Sequence, residues 1–220
     1  MKRKLLVILF IISGFLLSAQ NIEQAFINLP EQYLPLLSKE KRSVLLFNRS
    51  IGGADSIEND LKGISRLAVL DADYLKVNLT KKSTFEMKIW HLNDTTEIIG
   101  FSHTVCAPVC DSQVAFFDKN FKRLDTDGNQ MFPDIAVQDF LNVVKIADEG
   151  ERVENVVKKH DALFATISFS PKDDDIVLKS NAKEFLPKEI YAGLEKYLIG
   201  DSIELTFENG VFREGAAQWR

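Results

Sequence analysis

Residues 96–124 constrain the fold most strongly, because two strand-like runs there are joined by a connection too short to hold a helix. In the first run, apolar positions alternate with small or polar ones, and one face carries Ile99, Phe101, His103 and Val105. The second run, residues 113–117, is short, apolar and aromatic. Parallel strands need a long crossover, whereas antiparallel strands can follow each other through a short turn. The stretch therefore predicts an antiparallel hairpin whose first strand is buried on one face and whose second is buried on both.

Strand-like runs with the same two-residue period recur on both sides of this hairpin, and short polar turns separate them. They cover residues 75–79 and 85–91 before the hairpin, and residues 163–169, 176–178 and 203–207 after it. Asn209-Gly210 then provides a two-residue turn that strongly favours a hairpin. We therefore expect most strands to pair as antiparallel neighbours along the chain.

Helices are expected where a capping residue or a proline precedes apolar residues at helical spacing. Asn28 is expected to cap the first turn, and Ser38 to start a second helix. Pro133 and Pro187 are expected to open two later helices. The helical regions should lie near residues 30–48, 133–146 and 187–198. The core-facing residues are expected to be Val44, Leu45 and Phe47, then Ile135, Phe140, Leu141 and Val144, then Ile190, Leu194 and Tyr197.

The combined pattern predicts an α+β fold, in which an antiparallel β-meander with a few packing helices precedes a smaller α+β unit at the C-terminus. A charged run at residues 148–161 is the best candidate for the boundary between the two parts. We therefore expect a main α+β domain at residues 20–158. The smaller unit is expected at residues 159–220, either separate or packed into the same domain.

Residues 1–19 have the composition of a secretory signal peptide. Three basic residues precede an apolar run at residues 5–17, and Ser18-Ala19 offers small residues for cleavage before Gln20. The apolar run is too short for a comfortable membrane span. The sequence therefore predicts an exported protein, periplasmic or secreted, with no membrane span after cleavage.

The charge of the mature chain argues against nucleic-acid partners. Removing Lys2, Arg3 and Lys4 from the 27 lysines and arginines leaves 24 against 32 aspartates and glutamates, a formal charge of −8. An acidic surface repels phosphate backbones and anionic lipid headgroups. We therefore expect no nucleic-acid ligand and no binding to anionic membranes by charge.

Cys106 and Cys110 lie close together in an exported chain, which indicates either a small disulfide loop or a pair of buried thiols. Their spacing differs from the C-x-x-C of redox enzymes. A metal site made from these cysteines and His103 would lack a fourth ligand. His103 is in phase with Ile99 and Phe101, as expected of a hydrogen-bonded core histidine, and His91 is interpreted in the same way.

Residues 125–129 have a calcium-loop composition, but the glycine is fourth and the twelfth position is Ala136. A polar turn explains this segment better. We therefore assign no metal, no cofactor and no catalytic residue from the sequence.

Three segments resemble a family of exported proteins from Bacteroides-group bacteria that is catalogued as domain of unknown function 3256. They read FINLPEQYLPLLSKEKR (residues 26–42), TVCAPVCDSQVAFFD (residues 104–118) and FENGVF (residues 207–212). The exit sequence Ser18-Ala19-Gln20 fits the family as well. The resemblance spans most of the mature chain. It implies export and a similar length, but it assigns no activity.

The motif content favours binding over catalysis. The sequence contains no G-x-S-x-G, no H-E-x-x-H, no P-loop and no G-x-G-x-x-G after a strand. Ser102 and His103 are sequence neighbours, so on a strand they point to opposite faces and cannot form a nucleophile–base pair. We therefore expect a non-catalytic envelope protein that binds a protein, peptide or glycan partner. The alternative is a secreted hydrolase that uses two carboxylates in a cleft.

Overall fold

The fold consists of two antiparallel sheets in a computed structural model that describes residues 21–93, 96–124, 131–158 and 163–220. The expected signal peptide and the turn at residues 125–129 lie outside these ranges. Within them, no helix combines the length and the apolar character needed to cross a membrane. The predicted α+β class, with a meander followed by a smaller sheet unit, is confirmed.

The first sheet is a six-stranded meander in which each strand pairs with the next one along the chain. Its strands are β1 (Ser56–Glu58), β2 (Ile64–Leu70), β3 (Tyr74–Thr80), β4 (Ser83–Asn93), β5 (Thr96–Cys106) and β6 (Cys110–Phe117). The second sheet has the order β10-β9-β8-β7. Its strands are β7 (Ala165–Phe169), β8 (Ile176–Ser180), β9 (Ser202–Glu208) and β10 (Val211–Glu214). The predicted turn at Asn209-Gly210 joins β9 to β10, and both of its residues have positive φ.

The described helices are short and lie in three groups along the chain. They are α1 (Ile22–Asn28), α2 (Lys39–Ser50), α3 (Val143–Asp148), α4 (Val153–Val157), α5 (Ala182–Phe185) and α6 (Lys188–Glu195), with 3-10 turns at Glu31–Tyr33 and Val137–Phe140. Two of the expected starts hold. Ser38 accepts a hydrogen bond from the Lys41 amide at the start of α2, and Pro187 immediately precedes α6.

The expected cap at Asn28 is wrong, because Asn28 is the last residue of α1. Asn21 caps that helix instead, and its side chain accepts the Gln24 amide at 2.8 Å. The helix ends where it does because the next residue, Leu29, precedes Pro30, and a residue before proline is pushed out of the helical region. The α2 helix therefore starts after a break rather than continuing from residue 30.

On the expected apolar side of α2, Leu45 is buried as predicted, but Val44 is exposed and Phe47 is 61% exposed, so these two assignments are wrong. The helix buries Leu46 and the whole of Arg42 beside Leu45. The Arg42 guanidinium donates to two carbonyls at the end of α1, those of Phe26 and Leu29, at 2.6 and 2.7 Å. Satisfying those carbonyls turns Arg42 inward.

The single helix expected at residues 133–146 is wrong as well. The chain forms only the 3-10 turn and the short α3 helix there, and Val144 is exposed, although Phe140 and Leu141 are buried as expected. In the third expected helical region, residues 187–198, Leu194 and Tyr197 are buried as predicted, but Ile190 is 42% exposed.

The first sheet is covered on both faces. One face packs on α1 and α2 through a core that includes Phe26, Leu45, Phe85 and Phe101. The other face and the second sheet share a core that includes Trp90, Phe116, Ile167, Leu178 and Ile203. The division expected at residue 158 stays a prediction.

β7 is the edge strand of the second sheet, and it lies with its unpaired edge against the first sheet. Three alternate amides of that edge donate to side chains on β4 and β6. The pairs are Ala165 N–H to Asp111 at 3.2 Å, Ile167 N–H to Ser112 Oγ at 2.9 Å and Phe169 N–H to Glu86 Oε2 at 2.9 Å. In return, the Ser102 hydroxyl donates to the Ile167 carbonyl at 2.6 Å. Buried backbone groups are costly when unpaired, so these side chains allow an open strand edge to be buried.

Replacing Glu86 by leucine should lower the free energy of unfolding by about 3 kcal/mol, because a buried amide and an ammonium both lose their acceptor. Glu86 is buried, and its other oxygen accepts Lys76 Nζ at 2.8 Å. Urea unfolding measures the change. Glu86→Gln should cost less, since the amide oxygen can still accept one of these bonds. Glu58→Gln is the matched control, because Glu58 forms only an exposed pair with Lys62. Equal stabilities for Glu86→Leu and the control would contradict this account.

Candidate binding site

The structure joins Cys106 and Cys110 by a disulfide of 1.99 Å across the β5–β6 connection. The two residues face each other in the strand register, and residues 107–109 form the turn between them. Bridged sulfurs offer neither a nucleophilic thiol nor a thiolate ligand. No group of three or more potential metal ligands occurs among the described residues. The cystine therefore belongs to the hairpin rather than to a reactive centre.

The two described histidines differ from the expectation of hydrogen-bonded core residues, and His160 lies outside the described ranges. His91 is exposed, and its Nε2 lies 3.0 Å from Asp73 Oδ1, so its expected core position is wrong. His103 is half-buried as its phase suggests, but its Nε2 has no hydrogen-bond partner in the described part of the chain. Burial lowers the pKa of His103, which favours its neutral form.

An acidic cleft of about 350 Å³ lies between the β2–β3 turn and the β7–β8 turn. Its lining includes His91, Lys88 and four aspartates, Asp71, Asp73, Asp173 and Asp174.

The chemistry of this cleft is poor for hydrolysis. A hydrogen bond from Ser170 is the main cause that lowers the pKa of Asp173, which opposes a role as general acid at neutral pH. Lys88 is buried, and its ammonium donates to the carbonyls of Ser170 and Asp173 at 3.0 and 2.7 Å. The described lining contains no serine, threonine or cysteine to serve as a nucleophile.

A second concave surface, the α6 groove, lies between the α4 region and α6 and has a volume of about 400 Å³. Its apolar floor is formed by Val156, Ile190, Gly193 and Tyr197, and its charged rim by Glu151, Glu189 and Lys196. α6 begins after Pro187, whose fixed φ suits a helix start. Tyr191 and Leu194 anchor the helix in the interior, which leaves Ile190 partly exposed on the groove side.

Gly193 opens the floor of this groove. A glycine within a helix costs about 1 kcal/mol relative to alanine, so it needs a reason. Its φ is not positive, and a Cβ placed on it would have no neighbour within 4 Å among the described residues. Neither the backbone nor the packing therefore requires a glycine at this position. What the missing side chain provides is open space in the groove.

The charged side chains on the rim differ in whether they have an ion-pair partner. Lys196 Nζ lies 3.0 Å from Glu149 Oε2, which also accepts the Tyr197 hydroxyl at 2.8 Å. The hydrogen bond from Lys196 is the main cause that lowers the pKa of Glu149. Glu151 and Glu189 form no ion pair with any described residue. Among the described residues, the groove therefore combines an apolar floor with two carboxylates that have no ion-pair partner, which suits a ligand that carries an apolar group beside a positive charge.

Comparisons with known proteins agree with this architecture. The family model described as Protein of unknown function (DUF3256) matches residues 15–212, which include all three segments noted in the sequence. A solved structure, described as a domain of an uncharacterized protein from Porphyromonas gingivalis W83, has the same fold, with a TM-score of 0.73 and 21% identity. The alignment covers 88% of this chain and 96% of that one. No curated protein matches the chain.

The disulfide should stabilise the hairpin without contributing to binding. Changing both Cys106 and Cys110 to serine is expected to lower the free energy of unfolding by at most about 2 kcal/mol, because the closed loop is small. Thermal unfolding with and without reductant measures this. Reductant should destabilise the wild type to the level of the double variant, since the chain contains only these two cysteines. Free thiols in the denatured, unreduced protein would contradict the bridge.

Proposed function

The chain belongs to the family of proteins of unknown function DUF3256, and we infer its role from its own geometry. We propose that it is an exported, non-catalytic protein that binds a peptide segment of a partner in the α6 groove. The observation that carries this proposal is Gly193, which leaves the groove floor open although nothing around it requires a glycine. The expected occupant combines an apolar side chain with a lysine or arginine.

The chemistry of the groove supports a peptide as ligand. Val156, Ile190 and Tyr197 offer apolar surface to one or two side chains. Glu151 and Glu189 stand at the rim and can pair with a cationic group. A peptide segment supplies both features within a few residues, and complementary charge at a rim mainly accelerates and orients association. We therefore expect substitutions at the rim to change mainly the rate of association, while the contacts on the floor stay intact.

The hydrogen bonds of the buried polar side chains support a non-catalytic role. Glu86, Lys88 and Ser102 are polar side chains buried between the sheets, and each is bonded to backbone of the β7 region. The alternative hydrolase would have to use the acidic cleft. The His91–Asp73 contact and the aspartates of the lining favour that alternative. Against it, the lowered pKa of Asp173 opposes a role as general acid, and the Lys88 ammonium is bonded to carbonyls of the β7–β8 turn.

Substitution of Gly193 tests the groove directly. A display library of random peptides, panned on the intact protein, provides the probes, and calorimetry measures their affinities. Gly193→Leu should fill the groove and weaken the selected peptides at least about tenfold, a loss typical of blocking an anchor pocket. Gly193→Ala should weaken them less and stabilise α6 by up to about 1 kcal/mol. Lys81→Leu is the matched control, since it adds the same side chain in an exposed turn of the first sheet. Equal affinities for the wild type and Gly193→Leu would overturn the assignment.

Export is tested independently of the groove. The basic, apolar and small-residue order of residues 1–19 supports cleavage after Ala19, and a disulfide suits an oxidising compartment. N-terminal sequencing of protein from the cell envelope or the medium should start at or near Gln20. Recovery of the mature protein with Met1 intact would contradict export by this route.

A further inference from the structure

A pocket of about 280 Å³ lies on the other side of α6 from the groove, and we name it the Trp219 pocket. Tyr191 and Leu198 contribute apolar surface, and Trp219 lies on its wall. Polar groups of both signs surround them, namely Lys179, Lys183, Glu184 and Asp201. The pocket is separate from the α6 groove, because the two sets of lining residues have no member in common.

The segment that carries Trp219 is firmly attached to the second sheet. Gln218 pairs with the first residue of β9: its amide donates to the Ser202 carbonyl at 2.8 Å, and its carbonyl accepts the Ser202 amide at 2.9 Å. Asp201 adds a bond from its own amide to the Gln218 carbonyl at 3.1 Å and accepts the Arg220 amide at 3.0 Å. Lys179 Nζ donates to the Arg220 carbonyl at 2.8 Å. Five hydrogen bonds therefore fix the backbone on both sides of the tryptophan.

Gly200 makes this attachment possible. A Cβ at Gly200 would lie 2.2 Å from the Gln218 nitrogen, so any larger residue would push the segment away from the sheet. The local backbone is thus built to hold residues 217–220 in place. Despite this, the Trp219 side chain remains 56% exposed, whereas the other tryptophan, Trp90, is fully buried. The anchoring presents the indole to solvent rather than burying it.

The mixture of groups in this pocket points to a particular ligand class. A sugar ring has an apolar face of C–H groups and an edge of hydroxyls that both donate and accept hydrogen bonds. An exposed indole on a firmly held backbone matches the face, and the carboxylates and ammonium groups beside it match the edge. A purely apolar ligand would desolvate the side chains of Lys183 and Glu184, which form no ion pair with a described residue, without offering them a partner. We propose that the Trp219 pocket binds one saccharide unit of a glycan, with Trp219 as its stacking surface.

The two tryptophans make fluorescence a direct test. Trp90 is buried, and its Nε1–H donates to the Asp174 carbonyl at 2.9 Å, so a ligand-induced change in emission should come from Trp219. The probes are an array of defined mono- and oligosaccharides, followed by calorimetric titration of those that bind. At least one saccharide should change the emission of the wild-type protein and none that of Trp219→Ala.

Variants with matched controls locate the site. Trp219→Ala should weaken the bound saccharide about tenfold or more, as expected for the loss of an aromatic stacking surface, and Trp219→Phe should weaken it less. Gly200→Ala should weaken it too, by displacing residues 217–220, and its unfolding curve shows whether the fold persists. Phe47→Ala is the control, because it removes an aromatic ring that is 61% exposed on α2, away from the pocket.

The outcomes separate this pocket from the α6 groove. Gly193→Leu should leave saccharide affinity unchanged, and Trp219→Ala should leave peptide affinity unchanged. Absence of any saccharide binding would overturn the proposal, as would saccharide binding that survives Trp219→Ala. If Trp219→Ala abolished the binding of peptides, the assignment of a saccharide to this pocket would be overturned. The peptide proposal for the α6 groove would still be tested by Gly193→Leu.

Discussion

The burial of the β7 edge against the face of the first sheet is the contact on which the arrangement of this protein depends. Side chains of Asp111, Ser112 and Glu86 accept amides of that edge. The Ser102 hydroxyl donates to the carbonyl of Ile167 on the same edge. The free edge of an edge strand normally faces solvent or pairs with another strand, because its backbone N–H and C=O groups need partners. Here the partners are side chains that project from the first sheet. This explains why polar residues lie in the middle of an otherwise aromatic interface.

The same contact determines where both candidate sites lie. β7 carries the rest of the second sheet, and the chain leaves β8 directly into α5 and then α6. Asn181, between β8 and α5, reinforces the position by donating to the Cys110 carbonyl at 2.6 Å and to Thr166 Oγ1 at 3.0 Å. Lys88 and Trp90 hold the β7–β8 turn from the other end of the strand. The α6 groove and the Trp219 pocket thus rest on rigid elements, which is the condition for a preorganised binding surface.

The sequence predicted the parts of this fold that local rules control. The hairpin around residues 106–110, the turn at Asn209-Gly210 and the cap at Ser38 each follow from residues close together in the chain. The apolar side of α2 could not be predicted, because Arg42 turns inward to satisfy carbonyls of a preceding helix. β1 and β2 were not predicted. In β2, apolar Ile64 and Ala68 are exposed while polar Ser65 is buried, which hides the two-residue period in the sequence. The candidate sites were not predicted because each is formed by residues that are far apart in the sequence.

Two glycines show why such sites need coordinates. Gly193 and Gly200 are seven residues apart, and neither has a positive φ, so the backbone conformation alone does not distinguish them. Gly200 is required internally, because the backbone of Gln218 occupies the space of its side chain. Gly193 has empty space in the same position, although a helix would be more stable with alanine there. A glycine that packing demands says little about ligands. Gly193 is the opposite case among the described residues, and this is why we place the proposed peptide ligand in the α6 groove.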